Sequence, residues 1–226
     1  MKAEFIVTGS DGFLGSAYVD HLKSQGKNVK GLDLSSPIDF RVEDEVHKWF
    51  STNTGANLVN FFGINDHVTT SNELKSYLDL PLVEFEKIMK TNVVSLFSVC
   101  REFIRANKSG TIVNISSIYS LVSPNPRLYP SSEKNIAYGV SKAAVNQMGR
   151  HLAVHAAPDF RVNTIILGGV RKDQPLDFIN SYAGLTPMGR MGEPQDLFGM
   201  IDFLTGSSSS YITGSSFTID GGWTCL

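Results

Sequence analysis

Short runs rich in valine and isoleucine alternate with amphipathic stretches along the whole of this 226-residue chain. The period-2 runs predict strands at residues 5–7, 28–32, 57–62, 110–116, 161–167 and 217–220. The period-3.6 stretches predict helices at residues 13–24, 82–106, 137–156 and 195–205. This alternation is typical of βαβ units, whose parallel strands form one sheet with helices on both faces. We therefore predict an α/β fold with a doubly wound parallel sheet, in a single domain over residues 1–226.

A glycine-rich turn lies between the first predicted strand and the first predicted helix. Glycines there allow a tight turn, so that backbone N–H groups and the helix N-terminus can face a pyrophosphate. A glycine-rich turn can also be an ordinary turn, but its position in an α/β chain favours dinucleotide binding and a Rossmann-type sheet. The predicted cofactor-binding residues of the turn are Gly9, Ser10, Asp11, Gly12, Phe13, Leu14 and Gly15.

Asp33 follows the second predicted strand, 24 positions after Gly9. An acid at this separation can accept hydrogen bonds from the adenosine ribose hydroxyls, and it would repel a 2′-phosphate. No arginine or lysine in the turn or just after Asp33 offsets that charge. The alternative is a solvated loop acid. We predict that NAD(H) is preferred over NADP(H).

Tyr138 and Lys142 lie four positions apart near the start of a predicted helix, so they share one helical face. A tyrosine ordinarily has a pKa of about 10, too high for efficient proton exchange at neutral pH. A neighbouring ammonium would lower that pKa. The same spacing occurs by chance in many helices, so the pair needs support from its context.

Two further polar residues supply that context. Ser117 follows a buried-strand pattern and would reach the carboxyl edge of the sheet, where it can hold a substrate carbonyl near Tyr138. Asn92 is a polar residue within an apolar helical stretch and could hold a proton-relaying water. The alternative for Asn92 is a hydrogen-bonded core amide.

Over nearly its whole length the sequence resembles the classical-type short-chain dehydrogenases/reductases. Tyr138 to Lys142 resembles the family's Tyr-x-x-x-Lys motif, and Leu58-Val59-Asn60-Phe61-Phe62-Gly63 lies where the family has Leu-Val-Asn-Asn-Ala-Gly. The other matching segments are Thr91-Asn92-Val93, Ile115-Ser116-Ser117, Arg161 to Ile165, Pro187 to Pro194 and Tyr211 to Gly222.

The resemblance implies an oxidoreductase that transfers hydride between nicotinamide and a carbinol or carbonyl carbon. Tyr138 would be the general acid/base, and Lys142 would lower its pKa and bind the nicotinamide ribose. Ser117 would polarise the substrate oxygen, Asn92 would anchor a relay water and Asp39 would lie near the adenine. The other cofactor-binding residues implied are Asn60, Gly63, Gly168 and Val170, together with Tyr138 itself.

The chain departs from the family pattern at four places. Its glycine spacing is that of the extended members, many of which act on nucleotide sugars. A short loop must replace the helix that usually separates the acids at positions 33 and 39. Phe61-Phe62 replaces the family's Asn-Ala pair and predicts a bulkier surface beneath the cofactor. Leu167 stands where the family usually has proline.

A polar insertion at residues 120–136 separates Ser117 from Tyr138. It is similar to a loop of family members from bacterial surface-sugar and flagellin-glycan pathways. Arg127, Tyr129 and the serines Ser131 and Ser132 would suit a hydroxylated substrate such as a sugar derivative. The alternative is a surface or subunit-contact loop. Residues 170–186 are predicted to form a mobile lid over the substrate.

Charge and composition argue against several other classes of protein. A net charge of −2 with mixed signs disfavours nucleic acid or an anionic membrane as a partner, and no apolar run is long enough to span a bilayer. Cys100 and Cys225 fit neither a disulfide framework nor a metal site, so we expect no metal. With no signal-peptide pattern at the N-terminus, a reducing cytoplasm is predicted.

The leading functional hypothesis is an NAD(H)-dependent enzyme that interconverts a secondary alcohol and a ketone on a small polar substrate. The alternatives are a nucleotide-sugar-type dehydrogenase or epimerase, and a catalytically silent NAD-binding regulatory subunit. By the resemblance, the helices around Asn92 and Tyr138 would pair with copies of themselves in a homodimer or homotetramer.

Overall fold

A computed structural model describes residues 3–33, 38–65, 76–129 and 133–226 of the chain. Pro130, Ser131 and Ser132 of the predicted insertion therefore lie outside the described residues, and so do residues 34–37.

Six parallel strands form one sheet in the order β2-β1-β3-β4-β5-β6. The strands are β1 (Ala3–Thr8), β2 (Val29–Leu32), β3 (Gly55–Asn60), β4 (Gly110–Ser117), β5 (Phe160–Leu167) and β6 (Ser216–Ile219). All six were predicted to within a few residues. The predicted α/β class with a doubly wound, Rossmann-like sheet is confirmed.

Helices cover both faces of this sheet. They are α1 (Phe13–Ser24), α2 (Glu43–Thr52), α3 (Leu82–Met89), α4 (Leu96–Ala106), α5 (Ile136–Ala156), α6 (Leu176–Leu185) and α7 (Gln195–Thr205). A π-helical segment, Lys90–Ser95, joins α3 to α4 within the stretch predicted as one helix. Neither α2 nor α6 was predicted. Within the described residues, no helix is long and apolar enough to cross a membrane.

The strand order reverses direction between β1 and β3, because the chain first moves outward to β2 and then returns past β1. At such a switch point the carboxyl ends of the strands open a crevice, and ligands of doubly wound sheets bind there. Among the described residues, β2 forms one edge of the sheet and β6 the other. This topology places the cofactor turn and the ends of β4 and β5 along one rim.

Two apolar clusters hold the helices against the sheet. One contains Phe50, Phe103 and Val145 and joins α2, α4 and α5 to one face. The other contains Tyr18, Leu197 and Ile201 and joins α1 and α7 to the opposite face. The sheet, including the carboxyl ends of its strands, is therefore held in place by helices packed on both of its faces.

Candidate active site

A cleft of about 390 Å³ runs along the carboxyl ends of the strands. It brings the glycine turn, the end of β4 and the start of α5 to one place, although they are far apart in sequence. Its lining includes the predicted residues Gly9, Gly12, Phe13, Leu14, Gly15, Asp33, Gly63, Ser117, Tyr138, Lys142, Gly168 and Val170.

The first and third glycines of the turn are required by close contacts. Gly9 has φ +71°, and a Cβ there would lie 2.7 Å from the backbone nitrogen of Phe62. A Cβ on Gly15 would lie 2.0 Å from the carbonyl oxygen of Gly9. No side chain caps the N-terminus of α1 at Gly12, so its backbone faces the cleft as an anion site requires.

Asp33 lies at the turn as predicted. Its carboxylate accepts a hydrogen bond from the backbone N–H of Asp11 at 3.0 Å, which ties the end of β2 to the turn. The Ser10 hydroxyl donates to the carboxylate of Asp11 at 3.1 Å. Asp33 lines the cleft, whereas Ser10 and Asp11, also predicted to bind cofactor, do not.

Phe61 and Phe62 leave the cleft open. The ring of Phe62 packs on Phe40, with centroids 4.7 Å apart, and the ring of Phe61 packs on Tyr18 at 5.7 Å. Because both rings join the core, they border the cleft without filling it.

Tyr138 and Ser117 meet at the base of the cleft. Both side chains line it. Burial raises the pKa of the Tyr138 phenol, and the neighbouring Ser117 hydroxyl offsets part of that rise. The expectation that Lys142 lowers this pKa below its usual value is therefore wrong for this structure, because desolvation outweighs the favourable contacts.

Lys142 lies beneath the Tyr138 ring, with its Nζ 5.8 Å from the ring centroid. The ammonium donates to the carbonyl oxygen of Ile115 at 3.0 Å. Burial lowers the pKa of Lys142 to about 8. The hydroxyl of Ser116 donates to the Lys142 carbonyl at 3.0 Å and fixes this turn of α5 against β4.

Asn92 lies in the π-helical segment and joins the two sides of the cleft. Its Oδ1 accepts from the Ile64 N–H at 2.7 Å, and its Nδ2 donates to the Ile64 carbonyl and to Ser141 Oγ, both at 3.0 Å. The amide is thus a hydrogen-bonded core amide that holds the loop after β3 against α5. A π-helical turn at such a position is frequent in functional sites.

The comparisons with known proteins agree with this geometry. The family model described as enoyl-(acyl carrier protein) reductase matches residues 14–224. A tropinone reductase homolog of Arabidopsis thaliana is 28% identical over 249 residues, covering 97% of this chain and 91% of that protein. The chain belongs to the short-chain dehydrogenase/reductase family.

A solved short-chain dehydrogenase from Leptospira borgpetersenii, with bound NAD+, superposes with a TM-score of 0.88. It is 30% identical, and the match covers 99% of this chain and 94% of that one. Galactitol 2-dehydrogenase (L-tagatose-forming) of Cereibacter sphaeroides is 33% identical over 150 residues, covering 62% of this chain and 57% of that enzyme.

Two further residues predicted to bind cofactor in this short-chain dehydrogenase/reductase, besides Ser10 and Asp11, do not line the cleft. Asn60 is buried in the sheet, where it accepts from Thr8 Oγ1 and donates to Asn114 Oδ1, both at 2.8 Å. Asp39 binds the guanidinium of Arg41, which lowers the pKa of its carboxyl. Neither side chain lines the cleft, because each is held by these partners.

The segment predicted as a lid contains α6. Tyr182 of this helix is buried, stacks on Trp223 at 4.3 Å and accepts a hydrogen bond from the Gly169 N–H at 2.6 Å. The helix is thereby anchored to the end of β5, and Phe178 from the same helix lines the cleft.

Tyr129, which the sequence predicted to suit a hydroxylated substrate, lines the cleft, and so do two residues that were not singled out, Tyr119 just before the insertion and Lys134 within it. The hydroxyls of Tyr119 and Tyr129 lie 2.8 Å apart. Arg127, predicted to face a sugar, is exposed outside this lining. Lys134 lies four residues before Tyr138 in the sequence, and this spacing could have indicated that the two side chains meet. It was not recognised because Lys134 lies in the irregular insertion and not in a predicted helix.

Proposed function

We propose that this protein is an NAD(H)-dependent oxidoreductase that interconverts a secondary alcohol and a ketone on a small polar substrate. The observation that carries the proposal is the shared cleft. It holds an uncapped helix N-terminus and glycine turn at one end, and Ser117, Tyr138 and Lys142 at the other.

The residues of the cleft fit a nicotinamide dinucleotide. Gly9 and Gly15 leave no room for side chains, so backbone N–H groups would hold the pyrophosphate. A Cβ on Gly63 would lie 3.4 Å from Lys142 Nζ, so glycine keeps the approach to that ammonium open for a ribose. Bound there, the nicotinamide supplies the hydride chemistry.

The chain's own residues handle the proton. A tyrosine, with an ordinary pKa of about 10, is protonated at neutral pH, so Tyr138 can donate its proton to a carbonyl oxygen that is being reduced. The Ser117 hydroxyl lines the same cleft as that phenol and would hold the same oxygen. Lys142 would bind the ribose hydroxyls and stabilise the phenolate left after transfer.

Asp33 supports the choice of NAD(H). Its carboxylate lies at the glycine turn, where a 2′-phosphate would meet like charge. The relative from Leptospira borgpetersenii contains NAD+, in agreement with this assignment.

The substrate proposed is a hydroxylated molecule of sugar-like character. Tyr119 and Tyr129 place phenolic hydroxyls beside the reacting end of the cleft, and hydroxyl donors suit such a substrate. The partial likeness to galactitol 2-dehydrogenase agrees with a polyol or its ketone.

A panel of substrates tests the proposed function. NADH consumption would be followed with ketoses, simple ketones and a 2-enoyl thioester, the last chosen because of the family model's description. We expect turnover with the hydroxylated ketones and little with the thioester. Turnover of the enoyl thioester alone would contradict the proposal, as would binding of NADH without turnover across the panel.

A further inference from the structure

A lysine from the loop after β5 reaches across the cleft to the glycine turn. The Nζ of Lys172 lies 5.8 Å from the centroid of the Phe13 ring, at the start of α1. In the sheet, β5 is three strand spacings from β1, or roughly 14 Å. Lys172 and Phe13 both line the cleft. A ligand that extends from the turn to the reacting end would therefore pass beside this contact.

Local contacts hold the loop at residues 170–174 in this position. Val170 forms a parallel bridge with Gly192. The side chain of Gln174 accepts a hydrogen bond from the Lys172 N–H at 2.7 Å and donates one to the Val170 carbonyl at 3.0 Å. These contacts fix the backbone from which the Lys172 side chain reaches the turn.

The glycine turn offers an anion only some of its backbone N–H groups. Those of residues 10, 11 and 12 already donate to acceptors of the protein, at 3.0 to 3.2 Å. Those of the first helical turn, at Phe13, Leu14 and Gly15, have no intrahelical acceptor, and no side chain caps them. A dinucleotide pyrophosphate has a negative charge on each phosphate, so its oxygens can accept more hydrogen bonds than this turn supplies.

The partners of the Lys172 ammonium leave it able to bind a phosphate. Its Nζ is 3.6 Å from Asp173 Oδ2, and the two side chains are 39% and 75% exposed. An ion pair this exposed is screened by water and contributes little. The ring of Phe13 orients the cation through its π-face but carries no net charge. Because Asp173 does not line the cleft, a ligand in the cleft can take its place as the partner of Lys172.

We propose that Lys172 binds the pyrophosphate of the dinucleotide, on the side that faces away from the glycine turn. This inference rests on the proposed function, since it adds a residue to the cofactor site of that enzyme. The N–H groups at the start of α1 would hold the phosphates from one side. The ammonium would donate from the other side a charge-assisted hydrogen bond, which is about twice as strong as a neutral one.

Three ligands that share an adenosine unit test this assignment. NADH and ADP-ribose contain the pyrophosphate and adenosine contains no phosphate, so only the first two should depend on Lys172. Calorimetry would measure all three on the wild type, Lys172→Gln, Lys172→Arg and Arg171→Gln. Arg171 is the matched control, because it is the adjacent residue, carries the same charge and is exposed outside the cleft lining.

We expect Lys172→Gln to weaken the binding of NADH and ADP-ribose by about tenfold and to leave adenosine within about twofold. Lys172→Arg should keep most of the affinity, and Arg171→Gln should keep all of it. Added salt should weaken NADH binding to the wild type more than to Lys172→Gln, because the contact joins opposite charges. Unchanged NADH affinity in Lys172→Gln would contradict the proposal. An equal loss for adenosine, or an equal loss in Arg171→Gln, would also overturn it.

Binding without turnover separates this inference from the proposed function. If no ketone is reduced but ADP-ribose binding still depends on Lys172, the oxidoreductase assignment fails and the pyrophosphate site stands. If ketones are reduced and Lys172→Gln binds NADH as tightly as the wild type does, the assignment of Lys172 fails alone. If neither NADH nor ADP-ribose binds to the wild type, both fail.

Discussion

At the scale of single residues, burial in the cleft shifts the pKa values of two of its groups. Tyr138 and Lys142 are both buried, and burial raises the pKa of the phenol while it lowers that of the amine. The sequence could place these two groups on one helical face. It could not give the direction of the tyrosine shift, because desolvation depends on what packs around the ring.

We expect the buried ammonium of Lys142 to lower the free energy of unfolding of the wild type. Its pKa falls from the usual 10.5 to about 8, which corresponds to about 3 kcal/mol. Lys142→Met removes this cost but loses a hydrogen bond to Ile115 worth about 1 kcal/mol. We therefore expect this variant to be more stable than the wild type by about 2 kcal/mol at pH 7, as measured by urea unfolding without cofactor.

The sign of the pH dependence follows from the same shift. Because the folded-state pKa lies below the unfolded one, the unfolded chain binds more protons between pH 8 and 10.5, and wild-type stability from this residue rises across that window. The advantage of Lys142→Met should shrink between pH 7 and pH 10. An advantage independent of pH would show that the charge is not its source.

Asp33 is expected to set the choice of cofactor. Asp33→Asn removes the charge that repels a 2′-phosphate and weakens hydrogen bonds to the ribose. The ratio of NADH to NADPH affinity should fall on the order of tenfold or more. Fluorescence titration with both cofactors measures this ratio. A wild type that already prefers NADPH would show that the assignment to NAD(H) is wrong.

At the scale of elements, regular periodicity made most strands and helices predictable, and the remaining ones lacked that signal. In α2 only Val46 and Phe50 are buried, so ten mostly polar residues show little apolar pattern. In α6 only Tyr182 is buried. The π-helical turn at Asn92 depends on the hydrogen bonds of that amide to Ile64 and Ser141, which are distant in sequence.

The glycine turn gives a test at this scale. Gly15→Ala would place a Cβ 2.0 Å from the Gly9 carbonyl oxygen, so the turn must distort. We expect a loss of NADH affinity of at least tenfold together with a lower melting temperature.

Gly199→Ala is the matched control for that variant. Gly199 lies within α7, and a Cβ there would meet nothing within 4 Å. This substitution should raise stability by about 0.5–1 kcal/mol and leave NADH affinity unchanged. If Gly15→Ala and Gly199→Ala bind NADH equally well, the turn does not hold the cofactor.

At the scale of the whole molecule, the sheet topology explains why distant motifs form one site. The chain order alone predicted a doubly wound sheet, and its carboxyl edge collects the glycine turn, Ser117 and Tyr138. Asn60 and Asp39 were assigned by resemblance, and their local partners Asn114 and Arg41 hold them elsewhere. Such placements depend on pairings that a sequence motif does not encode.

The helices α4 and α5 are expected to form a contact between copies of the chain. Apolar side chains remain exposed on both, among them Phe97, Val140 and Val154. Val154→Glu should shift a homodimer or homotetramer towards smaller species, as measured by light scattering after size exclusion. Tyr211→Glu, a change at a fully exposed site that is not part of either helix, is the control. A wild type that is monomeric at micromolar concentration would contradict this expectation.

The central claim is that Tyr138 transfers the proton in a site that holds a nicotinamide cofactor. The measurement that tests it most directly compares Tyr138→Phe with the wild type, using NADH binding and turnover of the best ketone in the panel. We predict that kcat falls by about 10² to 10⁴, while NADH affinity stays within about threefold because the phenol is not needed to hold the dinucleotide. A variant that retains most of its turnover, or that loses NADH binding as completely as activity, would contradict the claim.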